Sequence, residues 1–173
     1  KRQAYPDNSY SVHSSSGSYY IWGAQLEEGS TASTYIPTTN VPSAAPRFDH
    51  NPTTGESLGL LIEESRTNEF PYSEDFTHVS WTKVNITVTS NATTAPDGVS
   101  LTADRIQIGS TNGVIYDNTV GAVTSNSTIS VWIKAVNPGT DDVFRLASAG
   151  SLSGDITATN EWVRYNFTSS TFT

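Results

Sequence analysis

The apolar positions of this chain fall in short runs separated by turn residues, and within most runs they recur at every second position. That period belongs to strands with one covered face. Tyr19-Tyr20-Ile21-Trp22-Gly23-Ala24-Gln25-Leu26 reads as a strand with Tyr20, Trp22, Ala24 and Leu26 on one face. The most apolar run, Leu58-Gly59-Leu60-Leu61-Ile62, is too short for a lone helix and suits a buried strand. From Asn68 onward short runs recur: Trp81 to Thr89, Leu101 to Ile108, Gly113 to Asp117, Ser127 to Ala135, Asp142 to Ala147 and Glu161 to Thr171. Turn signals lie between them at Pro96-Asp97-Gly98, Asn112-Gly113, Asn137-Pro138-Gly139 and Ser153-Gly154-Asp155. Val131 and Ile133 share one face of their strand and Trp132 takes the other; Val163, Tyr165 and Phe167 share a face of theirs. The pattern predicts an all-β chain, a jelly roll or β-sandwich, with no helix longer than about two turns after Asn68.

Between the first strand and this series lies Ser30 to Pro46, rich in Ser, Thr and Ala and marked by Pro37, Pro42 and Pro46. Proline fixes φ and removes a donor, so the segment is predicted to be an extended arm lying on a surface. The chain then divides into residues 1–29, a strand; 30–57, an extended linker; 58–67, a buried joining strand; and 68–173, the main domain.

Composition narrows the function. The formal net charge is −8, with 9 Lys and Arg against 17 Asp and Glu, which disfavours nucleic acid and anionic membrane surfaces. No apolar stretch is long enough to predict membrane insertion. Cysteine is absent, so the redox compartment is not legible. Methionine is absent even at position 1, and the chain is expected to be a piece of something longer.

Candidate chemistry is sparse, and each candidate has an ordinary alternative. His13, His50 and His78 lie in separate segments without ligand spacing. Glu27-Glu28 and Glu63-Glu64 are adjacent on strands, so each pair points to opposite faces and cannot converge on one bond; solvated strand ends are the simpler reading. Asp141 and Asp142, after Pro138-Gly139, are calcium candidates through oxygen ligation, against a plain hairpin turn. Trp81, Trp132, Trp162 and Tyr116 are candidates for stacking on the apolar faces of sugars, although tryptophans in short strands are more often core. Tyr20, Trp22, Leu26, Ile36, Val41 and Phe48 are expected to be assembly contacts, covered by another subunit or domain. Four Asn-X-Ser/Thr triplets, at Asn85, Asn91, Asn126 and Asn166, are what chance gives when Ser and Thr exceed a quarter of the residues. No catalytic residue, resident cofactor or phosphate loop is predicted.

Several blocks resemble a family of bacteriophage virion proteins. Tyr20-Ile21-Trp22-Gly23-Ala24-Gln25-Leu26-Glu27-Glu28-Gly29 with Tyr35-Ile36-Pro37-Thr38-Thr39 is similar to the closing strand and exit of its repeated module. Gly59 to Asn68, GLLIEESRTN, resembles a block that usually carries glutamine where Ser65 stands. Tyr72-Ser73-Glu74-Asp75-Phe76 with Trp81-Thr82-Lys83, Ala95-Pro96-Asp97-Gly98 and Thr102-Ala103-Asp104-Arg105 resemble its opening strands. The resemblance spans roughly Tyr19 to Phe172. It implies a carbohydrate-binding-module-like jelly roll in a head spike, head fibre, capsid decoration or tail-associated protein on the outer surface of the virion. Such a protein is non-enzymatic and acts through assembly, with a capsid or tail protein among its partners. Ser30 to Pro46, too apolar for a free tail and too poor in periodicity for a core of its own, predicts a homo-oligomer, expected to be a trimer. The alternative is an adhesin module binding a host surface glycan.

In that family the Trp-Gly-Ala-Gln-Leu-Glu block follows the Trp162-like strand; here it precedes the domain. A sheet with a strand missing exposes unpaired backbone groups, so something must fill the place. Residues beyond Thr173, the chain's own Tyr19 to Leu26, or the same strand of a neighbouring copy would serve. The 31 residues from Glu27 to Ser57 reach about 100 Å when extended, which excludes none of these. The prolines favour the outstretched arm, so Tyr19 to Leu26 is expected to complete a jelly roll other than the one beginning at Asn68.

Overall fold

The computed structural model describes residues 10–14, 17–39, 48–50, 54, 56–60, 66–109, 112–117, 119–120, 126–137, 143–148 and 151–169. Among the described residues thirteen strands run in chain order: β1 (Tyr10–Ser14), β2 (Ser18–Glu28), β3 (Phe48–His50), β4 (Ser57–Leu60), β5 (Trp81–Val84), β6 (Ile86–Thr93), β7 (Ala103–Ile108), β8 (Gly113–Asp117), β9 (Ser127–Ala135), β10 (Val143–Ser148), β11 (Ser151–Leu152), β12 (Ile156–Thr157) and β13 (Val163–Ser169). No helix occurs among the described residues, and the chain is all-β as its periodicity predicts.

Eleven of these strands form two antiparallel sheets, and β3 and β4 pair apart from them. One has the order β11-β10-β1-β8-β5, with β12 also paired to β10; the other has the order β13-β9-β2-β7-β6. Their facing sides meet in one core, in which Tyr19, Ile21, Leu26, Ile106, Ile129, Val131 and Ile133 of the second sheet face Val12, Ile115, Phe144 and Leu146 of the first. Phe144 binds the layers together, edge-on to Tyr19 at 6.0 Å and to Tyr165 at 5.0 Å. Burying that much aliphatic and aromatic surface is the main stabilising term, at about 25 cal/mol per Å². The alternation read from β9 and β13 holds: Val131 and Ile133 are in this core, Tyr165 and Phe167 pack against it, and Trp132 lies on the opposite side of the sheet.

The two N-terminal strands overturn the predicted division of domains. β2 does not leave for another domain. It lies in the middle of the second sheet, bonded to β9 from Tyr19↔Ala135 to Glu28↔Ser127 and to β7 from Ser18↔Gln107 to Ile21↔Asp104. β1, hidden in a polar stretch, is likewise the middle strand of the first sheet, between β10 and β8. Residues 68–173 are therefore no complete sandwich without residues 10–28, and the place of the displaced strand is filled by the chain's own. The physical reason is the one that made a gap unacceptable: each sheet needs its central backbone groups paired.

Three smaller expectations also change. The face of β2 switches midway, because the register with β9 shifts between Trp22 and Gln25. Gly23 adopts φ 61 there, so Tyr20 and Trp22 face outward while Ala24 and Leu26 enter the core. The single strand predicted over Trp81 to Thr89 is two strands in different sheets, broken at Asn85 with φ 53. The run at Leu58 is not a buried joining strand where it is described: β4 pairs only with β3 in a two-stranded sheet, and Leu58 is 60% exposed.

Candidate functional site

The outer face of the second sheet is closed by the chain that leaves β2. Its polar side chains are tied to residues 29–39 in a ladder. Glu27 accepts from the amide of Ser33 at 2.5 Å and from its hydroxyl at 2.7 Å. Gln25 donates to Ser33 Oγ at 3.1 Å and accepts from the Ile36 amide at 2.7 Å. Thr128 donates to the Gly29 carbonyl, Thr168 to that of Ser30, and Arg164 to that of Ser33. Glu27 is thus buried, not a solvated strand end, while its neighbour Glu28 is exposed on the other side. Residues 30–39 of the predicted linker are a strap fastened to its own domain. Its Ile36 is buried, and Trp22 packs at a tilt against its Tyr35, ring centres 4.6 Å apart.

The strap and the 68–76 segment are locked together at Asn68, which has no exposed surface. Its Oδ1 accepts from the amides of Leu26 and Phe70, both at 3.1 Å. Its Nδ2 donates to the carbonyls of Ala24 at 3.1 Å and Ile36 at 2.9 Å. One side chain thereby satisfies the backbone groups that the bulge in β2 frees from the ladder. Ser73 adds a second lock: its carbonyl accepts from the Ala24 amide, its hydroxyl accepts from the Thr38 amide at 2.8 Å, and the same hydroxyl shares a bond with Tyr35 OH at 2.7 Å. Burial holds the Tyr35 phenol well above its ordinary range.

Where strap, 72–77 segment and the edge of the second sheet meet, a groove of about 500 Å³ opens. The strap contributes Thr38 and Thr39; the 72–77 segment contributes Tyr72, Glu74, Asp75 and Thr77; β6 contributes Ser90 and Asn91; Thr102 precedes β7 and Asp104 lies at its start. Its carboxylates are anchored. Asp104 accepts from the amides of Phe76 and Asn91, both at 2.9 Å. Asp75 accepts from the Thr77 amide and hydroxyl and from the His78 amide. Glu74 accepts from Tyr35 OH at 3.0 Å. Burial raises the pKa values of Asp104 and Glu74 above their ordinary values; the amide bonds to Asp104 and the Tyr35 bond to Glu74 pull the other way without cancelling it.

Of the residues singled out in the sequence, Trp132 and Trp162 are brought together, while Trp81 and Tyr116 lie apart from them. Trp81 is core, 4% exposed, packed against Phe70 and Phe76, with its indole N–H donated to the Tyr72 carbonyl at 2.9 Å. Trp132 and Trp162 pack with Trp22 and Tyr35 against the strap, and Trp162 donates to the Thr94 carbonyl at 3.0 Å. Tyr116 is half-buried on β8 in the other sheet. As assembly contacts, Trp22, Leu26 and Ile36 are corrected: the chain itself buries all three. Tyr20 is half-buried on the outer face of β2. Val41, Asp141, Asp142 and Glu63-Glu64 lie outside the described residues, as do the side chains of Phe48, His13 and His50. His78 stacks on Tyr72 at 3.4 Å and bonds Ser80 through Nδ1. Among the described residues no group of three or more metal-ligating side chains converges, and no helix is long and apolar enough to cross a membrane.

The groove residues were not grouped into one site from the sequence because they come from four segments. The visible signal was polar clusters at strand ends, Tyr72-Ser73-Glu74-Asp75 and Thr102-Ala103-Asp104, and nothing local says that they meet. Compared with protein-family models, curated proteins and solved structures, the chain gives no match.

Proposed function

We propose that this chain is a non-enzymatic structural component of a bacteriophage virion, a jelly-roll module of an external spike, fibre or decoration protein. It acts through surfaces, by assembly with copies of itself and with capsid or tail protein. The observation that carries the reading is the use made of the blocks that resemble that family. Ala24 and Leu26, then Ile36, then Asn68, then Ser73 are spent on one another's backbone groups. Sequence of that kind maintains a scaffold, whereas an active site would aim its distinctive residues into a cavity. The groove carboxylates each hold local hydrogen bonds, which suits positioning better than acid–base exchange. Leu58, on the β3–β4 hairpin, is exposed, as are Val79, Val99, Leu101 and Leu152, so apolar side chains are available for contacts between copies.

Mass spectrometry of purified virions, with antibody labelling of intact particles, tests this. The chain is expected in the particle and on its outside; its absence from purified virions overturns the reading. Light scattering at micromolar concentration is expected to give an oligomer, and a monomer mass removes self-assembly from the proposal. A second reading, a glycan-binding module facing the host envelope, is favoured by the hydroxyl-rich groove.

A further inference from the structure

We propose that the groove between the strap and the β6–β7 edge binds a neutral glycan, with Tyr72, Glu74 and Asn91 as its recognition residues. The inference rests on the glycan reading and gives it a site and a ligand class. It rests on residues that line an open concavity, whereas Trp81 is core and Trp132 and Trp162 are half-buried against Trp22 and Tyr35.

Size and lining agree with such a ligand. A volume of about 500 Å³ lies within the range of about 300–1,000 Å³ common to small-molecule sites. No Lys or Arg lines the groove and three carboxylates do, so phosphate-, sulfate- or carboxylate-bearing ligands meet repulsion. A bare cation is served poorly. It needs about six to eight oxygens converging on one point, and the oxygens of Asp104 and the Oδ1 of Asp75 are already turned to backbone amides. What remains is a scatter of acceptor lone pairs among hydroxyls and an amide that both donate and accept, at Thr39, Ser90, Asn91 and Thr102. A sugar has the same mixed character, since each of its hydroxyls donates once and accepts twice. Tyr72 supplies an aromatic ring for an apolar sugar face, and His78 stacked behind it at 3.4 Å and 18° fixes its plane.

The backbone beneath the groove is also set for this. Asn91 sits at φ 54, where the register of edge strand β6 with β7 shifts between Thr89 and Thr93. Bulges of this kind re-aim a side chain and gather at functional sites. Asp104 holds that conformation by accepting the Asn91 amide. The site is formed before the ligand arrives, which lowers the ordering cost of binding.

The experiment titrates the full chain by NMR and calorimetry with three probe sets: neutral oligomers (cello-, manno- and N-acetylglucosamine oligosaccharides), acidic oligomers (oligogalacturonate) and amine-bearing oligomers (chitosan oligosaccharides). Binding is expected for a neutral set alone. Asn91→Gly, which tolerates the positive φ, and Glu74→Gln are each expected to weaken it at least tenfold, with the melting temperature of Asn91→Gly unchanged. Tyr72→Phe, which keeps the ring, is expected to retain more binding than Tyr72→Ala. Neutral binding that none of these substitutions weakens overturns the site and leaves the glycan reading standing. Preference for the acidic or amine-bearing set overturns the ligand class. Binding to none of the three overturns both the inference and the glycan reading, and leaves the structural reading untouched.

Discussion

Asn68 shows how much of this fold hangs on single polar side chains. All four hydrogen-bonding positions of its amide are used, on four backbone groups from three segments. Asn68→Ala strands those groups in a buried place, at about 1–3 kcal/mol for each one left unsatisfied. A loss of roughly 3 kcal/mol or more is expected in urea unfolding, and a loss under about 1 kcal/mol would mean the lock is dispensable. Asn68→Asp is expected to be comparably damaging at neutral pH, because a carboxylate oxygen then faces the carbonyls of Ala24 and Ile36. Gly29 is constrained in a different way: it adopts φ 126, and a Cβ would fall on the guanidinium of Arg66, which donates to the Glu28 carbonyl. None of this was legible beforehand. The motifs stood out as blocks, but three of the four Asn68 bonds reach residues 32 to 44 positions away, and no local pattern encodes such partners.

At the level of elements, legibility followed burial. β9 and β13 were readable because one face of each is apolar at every second residue and meets the core. β1 was not, since Val12 is its one aliphatic residue among Ser11, His13 and Ser14, and its place is held by ladder bonds to β8 and β10. The turn from β5 into β6 was missed because Asn85 carries the corner in a left-handed conformation within an otherwise strand-like run. Most important was β2, whose sequence announced a strand but could not say whose sheet it joins. Pairing choice depends on where the strap goes, and the prolines suggested reach where the Glu27, Gln25 and Arg164 bonds impose return. The consequence is the reverse of what an arm would give. Deleting residues 1–29 removes the middle strand of both sheets, so the remainder is expected to lose its β-type circular dichroism and its dispersed amide NMR spectrum. Retention of both signals would show the central strands to be dispensable. A peptide spanning Ser18–Glu28 added to a chain lacking only that strand is expected to restore part of the signal, by the same backbone pairing that strand-addition complexes use.

Over the whole molecule the sparse charges act together. The net charge is −8, and three carboxylates, Asp104, Glu74 and Glu69, have pKa values raised above their ordinary ones, in each case first by burial. A carboxylate with a raised pKa in the folded state holds its proton more tightly there than in the unfolded chain. Between the ordinary value, near about 4, and the raised one, the folded state binds more protons, so stability falls as pH rises through that window. General repulsion among the excess acidic groups has the same sign, because it grows as the chain moves away from its pI of about 4.6. Asp155 opposes them. Its hydrogen bond from Arg145 lowers its pKa, so its contribution is lost only as pH falls below the ordinary carboxylate value, and at the surface that contribution is small. The melting temperature is therefore expected to rise by a few degrees from pH 7.5 to about pH 5 and to fall again in stronger acid. Salt separates the two causes. Repulsion between exposed charges is screened at about 1 M ionic strength, where the Debye length is about 3 Å, whereas the burial of Asp104 and Glu74 is not. If burial matters, part of the rise survives at high salt and Glu74→Gln reduces it. A melting temperature that is flat across this range at high salt would assign the effect to net charge alone, and one that increases with pH would contradict both.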